Sequence, residues 1–316
     1  MAYRRALVTG GAGFIGSHVA DRLLQQGFHV AVVDNLSTGK LGNVSQSAAF
    51  YNVDIRSRKL VGVFRQEQPE VVFHLAAQAS VPSSIARPVE DARNNVLGSL
   101  NLLEQCKRYK VERFIYTSTG GALYGDPQQL PCAETDPIRP VSPYGASKFA
   151  AEVYVGCYAI LGGFQYSVLR CANVYGPRQD PLGEAGVIAI FAKQMLDGDR
   201  VVIFGDGNYE RDFVYVSDVV EANMKALEQA DSDVYNIGTG SGTSVNSIAS
   251  KLIELTGYLK KPDHGPVREG DVSKIYLDVR KAKRDLGWTS KVSLDQGLAN
   301  TVAYIKAMKP GSAQAI

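Results

Sequence analysis

The stretch ALVTGGAGFIGSH, residues 6–18, sets three glycines three residues apart directly after a short apolar run. Gly10 permits a tight turn, Gly13 lets a pyrophosphate approach the backbone, and Gly16 lets the following helix pack against the strand. Unpaired amides at the start of that helix would face the anion. The pattern therefore predicts a dinucleotide-binding loop between a first strand and a first helix.

Apolar, β-branched runs alternate with amphipathic segments through the first half of the chain. Strands are expected at residues 6–10, 29–35, 49–54, 70–76, 113–119 and 166–176. Helical patterns lie between them, for example at residues 17–26 and 89–109. Strands that are apolar on both faces and separated by helices indicate repeated βαβ units. The expected fold class is α/β, with a doubly wound parallel sheet of the Rossmann type.

The regular alternation of strand and helix patterns ends at about residue 176, where prolines and glycines become frequent. Two short strands are expected around a polar turn in residues 200–218. We predict a Rossmann domain over residues 1–176 that regains the sheet near 213–260. A smaller substrate-binding lobe is expected from residues 177–212 and 261–316, interleaved with it.

An acidic residue, Asp34, ends the second predicted strand in VVDN. A carboxylate there accepts hydrogen bonds from both hydroxyls of an adenosine ribose and repels a 2′-phosphate, so NAD is expected rather than NADP. The third and fourth strands end at the same cleft. This predicts that Asp54 meets the adenine amine and that the backbone of Leu75, Ala76 and Ala77 meets the other ribose.

Two polar residues near this edge are expected to serve the structure. Asn95 lies within a predicted helix, where asparagine is unfavourable unless its amide has a partner. We expect it to hydrogen-bond the backbone of the strand ends. His74 lies in an apolar strand and is expected to be a structural core histidine.

The stretch SPYGASKFAAE, residues 142–152, places a tyrosine and a lysine four residues apart in the first turns of a predicted helix. Both side chains would project to the same side, so the Lys148 ammonium would lower the pKa of Tyr144 toward that of a general base. With 16 tyrosines in the chain, this spacing also arises by chance. The other motifs of the sequence therefore decide whether this tyrosine–lysine pair is catalytic or a chance occurrence.

The amino-acid composition excludes some classes of binding partner and indicates a cellular location. The chain has 34 basic and 32 acidic side chains and a formal charge of +2, so neither nucleic acid nor a membrane surface is expected as a partner. The four cysteines are widely spaced, which indicates a reducing, cytoplasmic location rather than a secreted disulfide framework. No metal site is predicted.

The glycine loop, TST at the end of the fifth strand and the Y-x-x-x-K motif together resemble the extended short-chain dehydrogenase/reductases. Within that family, TGGAGFIGSH, DNLSTG, HLAAQASVPSS, STGGALYGD, SPYGASK, LRCANVYGPR and RDFVYVSDV resemble the nucleotide-sugar 4-epimerases, from about residue 5 to 305. The resemblance implies that Tyr144 is the base, that Lys148 holds the nicotinamide ribose, and that Thr119 bridges substrate and tyrosine. The GGA before LYG makes this segment one residue longer than the commonest epimerase pattern, so Ser118 stays an alternative for the bridging hydroxyl.

The resemblance also implies further contacts. Additional cofactor contacts are expected at Phe14, Ile15, Asn35, Ser37, Thr38, Gly39, Ile55 and Cys171, besides Tyr144 and Lys148. Substrate contacts are expected at Ser80, Asn173, Val187, Arg211, Arg268 and Asp271. Of these, Asn173 would bond a diphosphate or sugar oxygen, the two arginines would neutralise the phosphates, and Asp271 would accept from the nucleotide ribose.

The residues after Thr119 bear on the reaction. The dehydratase branch of the family has an Asp-Glu pair there, whereas Gly120 and Gly121 have no side chain that could give or take a proton. The resemblance therefore implies 4-epimerisation, the interconversion of UDP-glucose and UDP-galactose through a 4-keto intermediate with transient reduction of tightly bound NAD.

Several alternatives stay open. The substrate could instead be UDP-glucuronate or UDP-N-acetylglucosamine, and the position that limits room for a 2-acetamido group falls at Ile275 or Tyr276. Other hypotheses are a net reductase that releases its cofactor and a non-catalytic NAD-binding sensor. The resemblance further implies a homodimer, formed through the helices that begin near residues 89 and 143.

Overall fold

The computed structural model describes residues 3–182, 186–228, 231–267 and 272–308. Its strands, in chain order, are β1 (Arg5–Thr9), β2 (His29–Asp34), β3 (Ala49–Asn52), β4 (Val71–His74), β5 (Arg113–Thr119), β6 (Gln165–Cys171), β7 (Asn173–Tyr175), β8 (Val202–Phe204), β9 (Glu210–Arg211), β10 (Phe213–Tyr215), β11 (Asp233–Ile237), β12 (Thr243–Ser244), β13 (Asp263–Gly265) and β14 (Lys274–Ile275).

The helices alternate with these strands. They are α1 (Phe14–Gln25), α2 (Leu60–Glu67), α3 (Val81–Ala86), α4 (Pro88–Ala92), α5 (Gly98–Arg108), α6 (Pro143–Gly162), α7 (Val187–Asp197), α8 (Val216–Glu228), α9 (Val245–Thr256), α10 (Arg280–Leu286) and α11 (Leu294–Ala307). A 3₁₀ turn covers Leu41–Asn43, and a π-helical turn, Arg93–Leu97, joins α4 to α5.

A parallel sheet organises the first part of the chain. In the described residues it has seven strands in the order β11-β6-β5-β4-β1-β2-β3. The order reverses at β1, which pairs with β2 on one side and β4 on the other. A doubly wound sheet binds its ligand where the strand order reverses, at the carboxyl ends of the strands. The predicted fold class is confirmed.

Alternate residues of each central strand enter two different cores. Val8, Phe73 and Ile115 pack in the core on the side of α1 and α8. Leu7 and Phe114 pack in the core on the side of α2, α5 and α6. Successive strand side chains point to opposite faces, so strands covered by helices on both sides are apolar throughout.

Two predicted elements differ in detail. The expected strand at residues 166–176 is interrupted at Ala172, whose amide still donates to the Ile237 carbonyl of β11, whereas the amide of Asn173 donates to the Asp212 carbonyl just before β10. Beyond that point β7 leaves the main sheet and pairs with β10 in parallel. The expected helix at residues 89–109 is α4, the π turn and α5 in succession, so one extra residue is accommodated near its start.

The later part of the chain builds a third core. Side chains from α7, α9 and α11 pack there with those of β7, β8 and β10. Phe14, from the first turn of α1, packs against the same core. The glycine loop is thereby anchored to both parts of the molecule.

Candidate active site

The glycine loop joins β1 to α1 and leaves the first turn of α1 open to a ligand. Gly10 has a φ of +71°, and a Cβ there would lie 2.6 Å from the amide nitrogen of Ala76. A Cβ on Gly16 would collide with the Gly10 carbonyl oxygen. The helix follows Gly13 with no side-chain cap and no acidic residue in its first turn, which includes Phe14 and Ile15. Its amides are available to an anion such as a pyrophosphate.

The Asp34 carboxylate lies beside this loop at the end of β2. Its Oδ2 accepts from the Ala12 amide at 3.0 Å, and its Oδ1 accepts from the Leu36 amide at 2.8 Å. Gly39 lies against it, since a Cβ there would be 2.9 Å from Oδ1. Each carboxylate oxygen retains acceptor capacity, so Asp34 is oriented and can still accept from a ribose diol.

Asp54, the expected partner of the adenine amine, is already held by two neighbours. Arg56 donates to it through Nε at 2.9 Å and Nη2 at 2.7 Å, and Asn35 donates through Nδ2 at 2.9 Å. The Arg56 hydrogen bonds are the main reason that the pKa of Asp54 is lowered to about 2. Ser37 and Thr38 follow Asn35 as exposed residues at the rim.

The end of β4 is fixed by a buried asparagine in the π turn. Asn95 Oδ1 accepts from the Gln78 amide at 2.8 Å, and its Nδ2 donates to the Gln78 carbonyl at 2.9 Å. The backbone of Leu75 is tied to β1, with its amide 3.1 Å from the Thr9 carbonyl oxygen. The backbone that Asn95 holds is that of Gln78, one residue beyond the predicted strand end at residues 75–77. Ile55, expected at the cofactor, is buried nearby.

His74 links β1 to the π turn. Thr9 Oγ1 lies 2.7 Å from His74 Nδ1, and His74 Nε2 lies 2.8 Å from Ser99 Oγ. Because Ser99 Oγ donates to the Asn95 carbonyl, it accepts from Nε2–H, so the imidazole is neutral. Burial lowers the pKa of His74 to about 3, and the nearby Lys148 charge adds to the effect. A structural role fits this histidine, as expected.

The Y-x-x-x-K pair lies in the first two turns of α6. The Tyr144 side chain lies beside Thr119 at the end of β5, close enough for Thr119 to act on the Tyr144 pKa. Lys148 is buried; its Nζ donates to the Thr117 carbonyl at 2.8 Å and lies 4.2 Å from the centroid of the Tyr116 ring. The fold therefore brings the predicted tyrosine, lysine and threonine together.

The pKa of the tyrosine differs from the prediction. Burial raises the pKa of Tyr144 to about 12, and the hydrogen bond with Thr119 opposes this only in part. Burial lowers the pKa of Lys148 to about 8. The expected lowering of the Tyr144 pKa by Lys148 is wrong for this structure, because desolvation of the phenol dominates and the ammonium is directed to the Thr117 carbonyl.

The two candidate hydroxyls point in different directions. Ser118 Oγ donates to Glu152, whose carboxylate pairs with Arg170 Nη2 at 2.8 Å in the protein interior. Successive strand residues face opposite sides of the sheet, so Thr119 lies on the side of Tyr144. The geometry favours Thr119 as the bridging hydroxyl.

The glycines after Thr119 are closely covered. A Cβ on Gly120 would collide with Leu277, and a Cβ on Gly121 would lie 3.1 Å from Asn173 Oδ1. An acidic side chain at Gly120 would therefore require Leu277 to move. The side of the site next to Thr119 offers backbone and the Asn173 amide, not a proton-transfer group.

The expected substrate contacts are spread over several elements. Ser80 caps α3, accepting from the Ser83 amide at 2.9 Å, and Val187 is the first residue of α7. Arg211 Nη1 donates to the Glu210 carbonyl at 2.9 Å. Two expected contacts, Arg268 and Asp271, lie outside the described residues.

Three other positions complete the site. Cys171 is opposite Thr119 in the pairing of β5 with β6, and burial raises the pKa of its thiol to about 12. Ile275 is buried in the first core, whereas Tyr276 is partly exposed beside Gly242. These placements leave both residues as candidates for limiting the sugar.

The assembled residues fit a dinucleotide such as NAD. The α1 amides suit a pyrophosphate, Asp34 suits a ribose diol, and Lys148 suits a second ribose beside Tyr144. No group of His, Cys, Asp or Glu side chains suited to a metal ion occurs among the described residues. None of the helices in that part of the chain combines the length and apolar composition needed to cross a membrane.

Four contacts in this region were not predicted. Gln78, Asp91 and Ser147 surround Asn95, and Arg56 holds Asp54. Asp91 precedes Asn95 by four residues, which on a helix is a neighbouring position. That spacing was the available signal, but a buried acid cannot be distinguished from an exposed one by spacing alone.

Comparison with known proteins points to one family. The sequence profile of the NAD dependent epimerase/dehydratase family matches residues 6–238. A UDP-glucose 4-epimerase of Mycolicibacterium smegmatis is 42% identical over 308 residues, which cover 96% of this chain and 98% of that protein.

Two solved structures are similar over nearly the whole chain. The UDP-glucose 4-epimerase of Thermotoga maritima, crystallised with UDP-glucose, is 54% identical with a TM-score of 0.94, covering 96% of this chain and 98% of that one. The UDP-glucose 4-epimerase of Thermus thermophilus, in complex with NAD, is 45% identical with a TM-score of 0.92, covering 96% and 100%.

Proposed function

The chain belongs to the NAD dependent epimerase/dehydratase family, and from that premise we propose that it is a UDP-glucose 4-epimerase. It interconverts UDP-glucose and UDP-galactose through a 4-keto intermediate. The observation that carries the proposal is that Tyr144 lies beside Thr119, directly before two glycines whose side chains can give or take no proton. Such a site can accept and return one proton at the sugar oxygen without eliminating water.

NAD is the cofactor of this family. The amides after Gly10 and Gly13 would hold its pyrophosphate, Asp34 would hold the adenosine ribose, and Lys148 would hold the nicotinamide ribose. When bound, NAD supplies a reversible acceptor for the hydrogen on the sugar C4.

Tyr144 handles the proton. As the phenolate, it would accept the proton of the sugar 4-hydroxyl and return it to the same oxygen after the sugar has turned over. Thr119 orients the phenol and the sugar oxygen. Because burial raises the pKa of Tyr144 to about 12, the phenolate needs a positive charge beside it. Lys148, with a pKa of about 8, is charged at neutral pH but is directed to the Thr117 carbonyl in this structure, so the proposal requires its charge to reach the phenol when substrate and cofactor are bound.

Inversion at C4 needs a firm hold on the diphosphate and a loose hold on the sugar. Arg211 suits the diphosphate because a guanidinium stays charged and bonds oxygen pairs. Asn173 contributes an amide over Gly121, where the sugar can change face without meeting an acid. These residues give the ketone one route, which is reduction from either face.

We further propose that the enzyme is a homodimer built on α6 and the α4–π segment. Large apolar side chains are exposed there: Ile160 is 86% exposed, Leu161 63% and Val89 62%, with Leu97 and Val153 more than half exposed. A second copy of the same face would bury these side chains.

The cysteine chemistry suits a reducing cytoplasm, where we place the enzyme. Cys106, Cys132 and Cys171 are buried free thiols, and Cys157 is an exposed one. Burial raises the pKa of the Cys132 thiol to about 11, so it is inert.

The test uses purified protein and UDP-galactose with no added cofactor. Sugar nucleotides are separated by anion-exchange chromatography while absorbance near 340 nm is followed. The proposal predicts that UDP-glucose forms without net accumulation of NADH. Absence of conversion, with added NAD as well, would contradict it and favour an NAD sensor; steady consumption of added NADH would favour a reductase.

A further inference from the structure

One buried acid in the site has no role in the mechanism above. Asp91, in α4, is 1% exposed. Its Oδ1 accepts from Gln78 Nε2 at 2.8 Å and from Asn95 Nδ2 at 3.2 Å, while Oδ2 has no hydrogen-bond donor in the described part of the chain. No lysine, arginine or histidine among the described residues forms an ion pair with it. Buried carboxylates of this kind are rare, because an unpaired charge is costly to remove from water.

Hydrogen bonds connect Asp91 to the turn of α6 that carries the reacting groups. Asn95 Nδ2, which donates to Asp91, also donates to Ser147 Oγ at 3.0 Å. Ser147 Oγ in turn donates to the Tyr144 carbonyl at 3.0 Å. The same amide therefore links Asp91, through Ser147, to the backbone of Tyr144.

A second path leads from Asp91 to the mouth of the site. Gln78 Nε2, which donates to Asp91, also donates to the Ser80 carbonyl at 2.9 Å. Gln78 Oε1 accepts from the Ser80 amide. Asp91 thus fixes the side chain that clamps Ser80, an expected substrate contact.

The electrostatic surroundings of Lys148 single out Asp91. The Lys148 ammonium feels the charges of Glu152 of α6, Cys171 of β6 and Asp91 of α4, and it lies over the ring of Tyr116 of β5. His74 of β4 and Tyr144, four residues earlier on α6, are the other titratable groups nearby. His74 is neutral, and burial keeps the tyrosines and Cys171 protonated. Two acids remain, and both favour the charged form of Lys148.

Those two acids differ in their own partners. Glu152 is paired with Arg170, which donates through Nε at 3.1 Å and Nη2 at 2.8 Å to the same carboxylate oxygen. The charge of Glu152 is thereby largely balanced before it reaches Lys148. Asp91 has amide donors only, so its charge is not cancelled locally.

We propose that Asp91 is a positioning residue of this site, whose carboxylate balances the charge of the buried Lys148 and whose Oδ1 anchors Asn95 and Gln78. The proposal rests on the proposed function through the roles given to Lys148 and Ser80. It adds an acidic residue on α4 to a site otherwise built from the sheet edge and α6.

The test compares two single-charge removals on the same helix. Asp91→Asn keeps size and hydrogen-bonding capacity and removes the buried charge. Glu90→Gln removes an exposed charge one residue away, where Glu90 pairs with Arg93 at 2.5 Å. Each protein, as purified holoenzyme, is labelled with ¹³Cε-lysine, and the Lys148 signal, assigned by its loss in Lys148→Met, is followed across pH.

Asp91→Asn is expected to move the Lys148 midpoint down by ~0.5 to 1 pH unit, since an opposite charge has been removed. Glu90→Gln is expected to leave the midpoint in place. The alkaline limb of kcat against pH should move with the midpoint in Asp91→Asn, a change that loss of packing alone would not produce. An unchanged midpoint in Asp91→Asn, or an equal shift in Glu90→Gln, would overturn the proposal.

The titration needs no turnover, so it separates this proposal from the proposed function. A midpoint shift in a protein that does not convert UDP-galactose contradicts the function alone. If Asp91→Asn fails to fold, Asp91→Ser removes the same charge with a smaller side chain: the same downward shift of the Lys148 midpoint is expected, and an unchanged midpoint refutes the proposal.

Discussion

The two adjacent hydroxyls at the end of β5 should respond to substitution in opposite ways. Thr119→Val keeps the side-chain shape and removes the hydroxyl that lies beside Tyr144. Ser118→Ala removes the donor to the buried Glu152. The first hydroxyl belongs to the reacting side of the sheet and the second to the interior, so one variant should lose activity and the other stability.

The magnitudes follow from these contacts. A positioned donor that acts in the transition state contributes about 10²-fold or more to kcat, so Thr119→Val should lose about that much. Its stability should change by only about 1 kcal/mol, the net value of a neutral hydrogen bond. Ser118→Ala loses a hydrogen bond to a charged group, worth about 1.5 to 3 kcal/mol, while Arg170 still holds Glu152. Its kcat should stay within about threefold of wild type.

Two assays on the same samples check the pattern. Steady-state conversion of UDP-galactose gives kcat, and thermal unfolding gives Tm, where about 2 to 4 °C corresponds to 1 kcal/mol in a domain of this size class. Ser118→Ala should melt several degrees lower and remain active. The reverse pattern, an inactive Ser118→Ala beside an active Thr119→Val, would refute the assignment of Thr119 and transfer the bridging role to Ser118.

Three further predictions concern the base, the cofactor and the assembly. Tyr144→Phe removes the phenol oxygen and keeps the ring, so kcat should fall by about 10³-fold. The amount of bound NAD, measured after denaturation of the protein, should stay unchanged. Turnover within tenfold of wild type would exclude Tyr144 as the base. Asp34→Ala should weaken the binding of NAD by roughly tenfold and reduce the preference for NAD over NADP, both measured by equilibrium binding. An unaltered preference for NAD would count against the contact of Asp34 with the ribose. Ile160→Glu places a charge on the exposed apolar face of α6 and should yield monomers in sedimentation, with Lys291→Glu on the opposite lobe as control; an unaffected dimer would exclude that face.

Local chemistry explains why much of the site was predictable. The glycine loop, Asp34 and the four-residue spacing of Tyr144 and Lys148 each depend on a few consecutive residues and a regular element. A turn, a strand end and a helix face fix such groups with little help from the rest of the chain. The parallel sheet followed from apolar runs for the same reason.

The parts that could not be predicted depend on distant contacts. Whether Ser118 or Thr119 faces Tyr144 depends on the pairing of β5 with β6. The departure of β7 from the main sheet depends on its pairing with β10, which lies about forty residues later in the chain. The pKa of Tyr144 depends on burial by several elements, which outweighs a cation nearby in sequence.

The Asp91 network shows the same limit in one place. It joins α4, the π turn, α6 and the residues after β4. Only the folded chain brings these four segments together, and the extra residue of the π turn helps to aim Asn95 inward. A regular helical projection of residues 89–109 would place these side chains in a different register.

The most direct test of the central claim follows the hydrogen on the sugar C4. UDP-galactose carrying deuterium at C4 is converted by the holoenzyme without added cofactor, and the UDP-glucose formed is examined by mass spectrometry and proton NMR. Inversion at C4 through a ketone held in the site predicts that the deuterium is retained at C4. UDP-glucose that has lost the deuterium to solvent would contradict the account, because the carbon itself would then have been deprotonated, a step to which the account assigns no base.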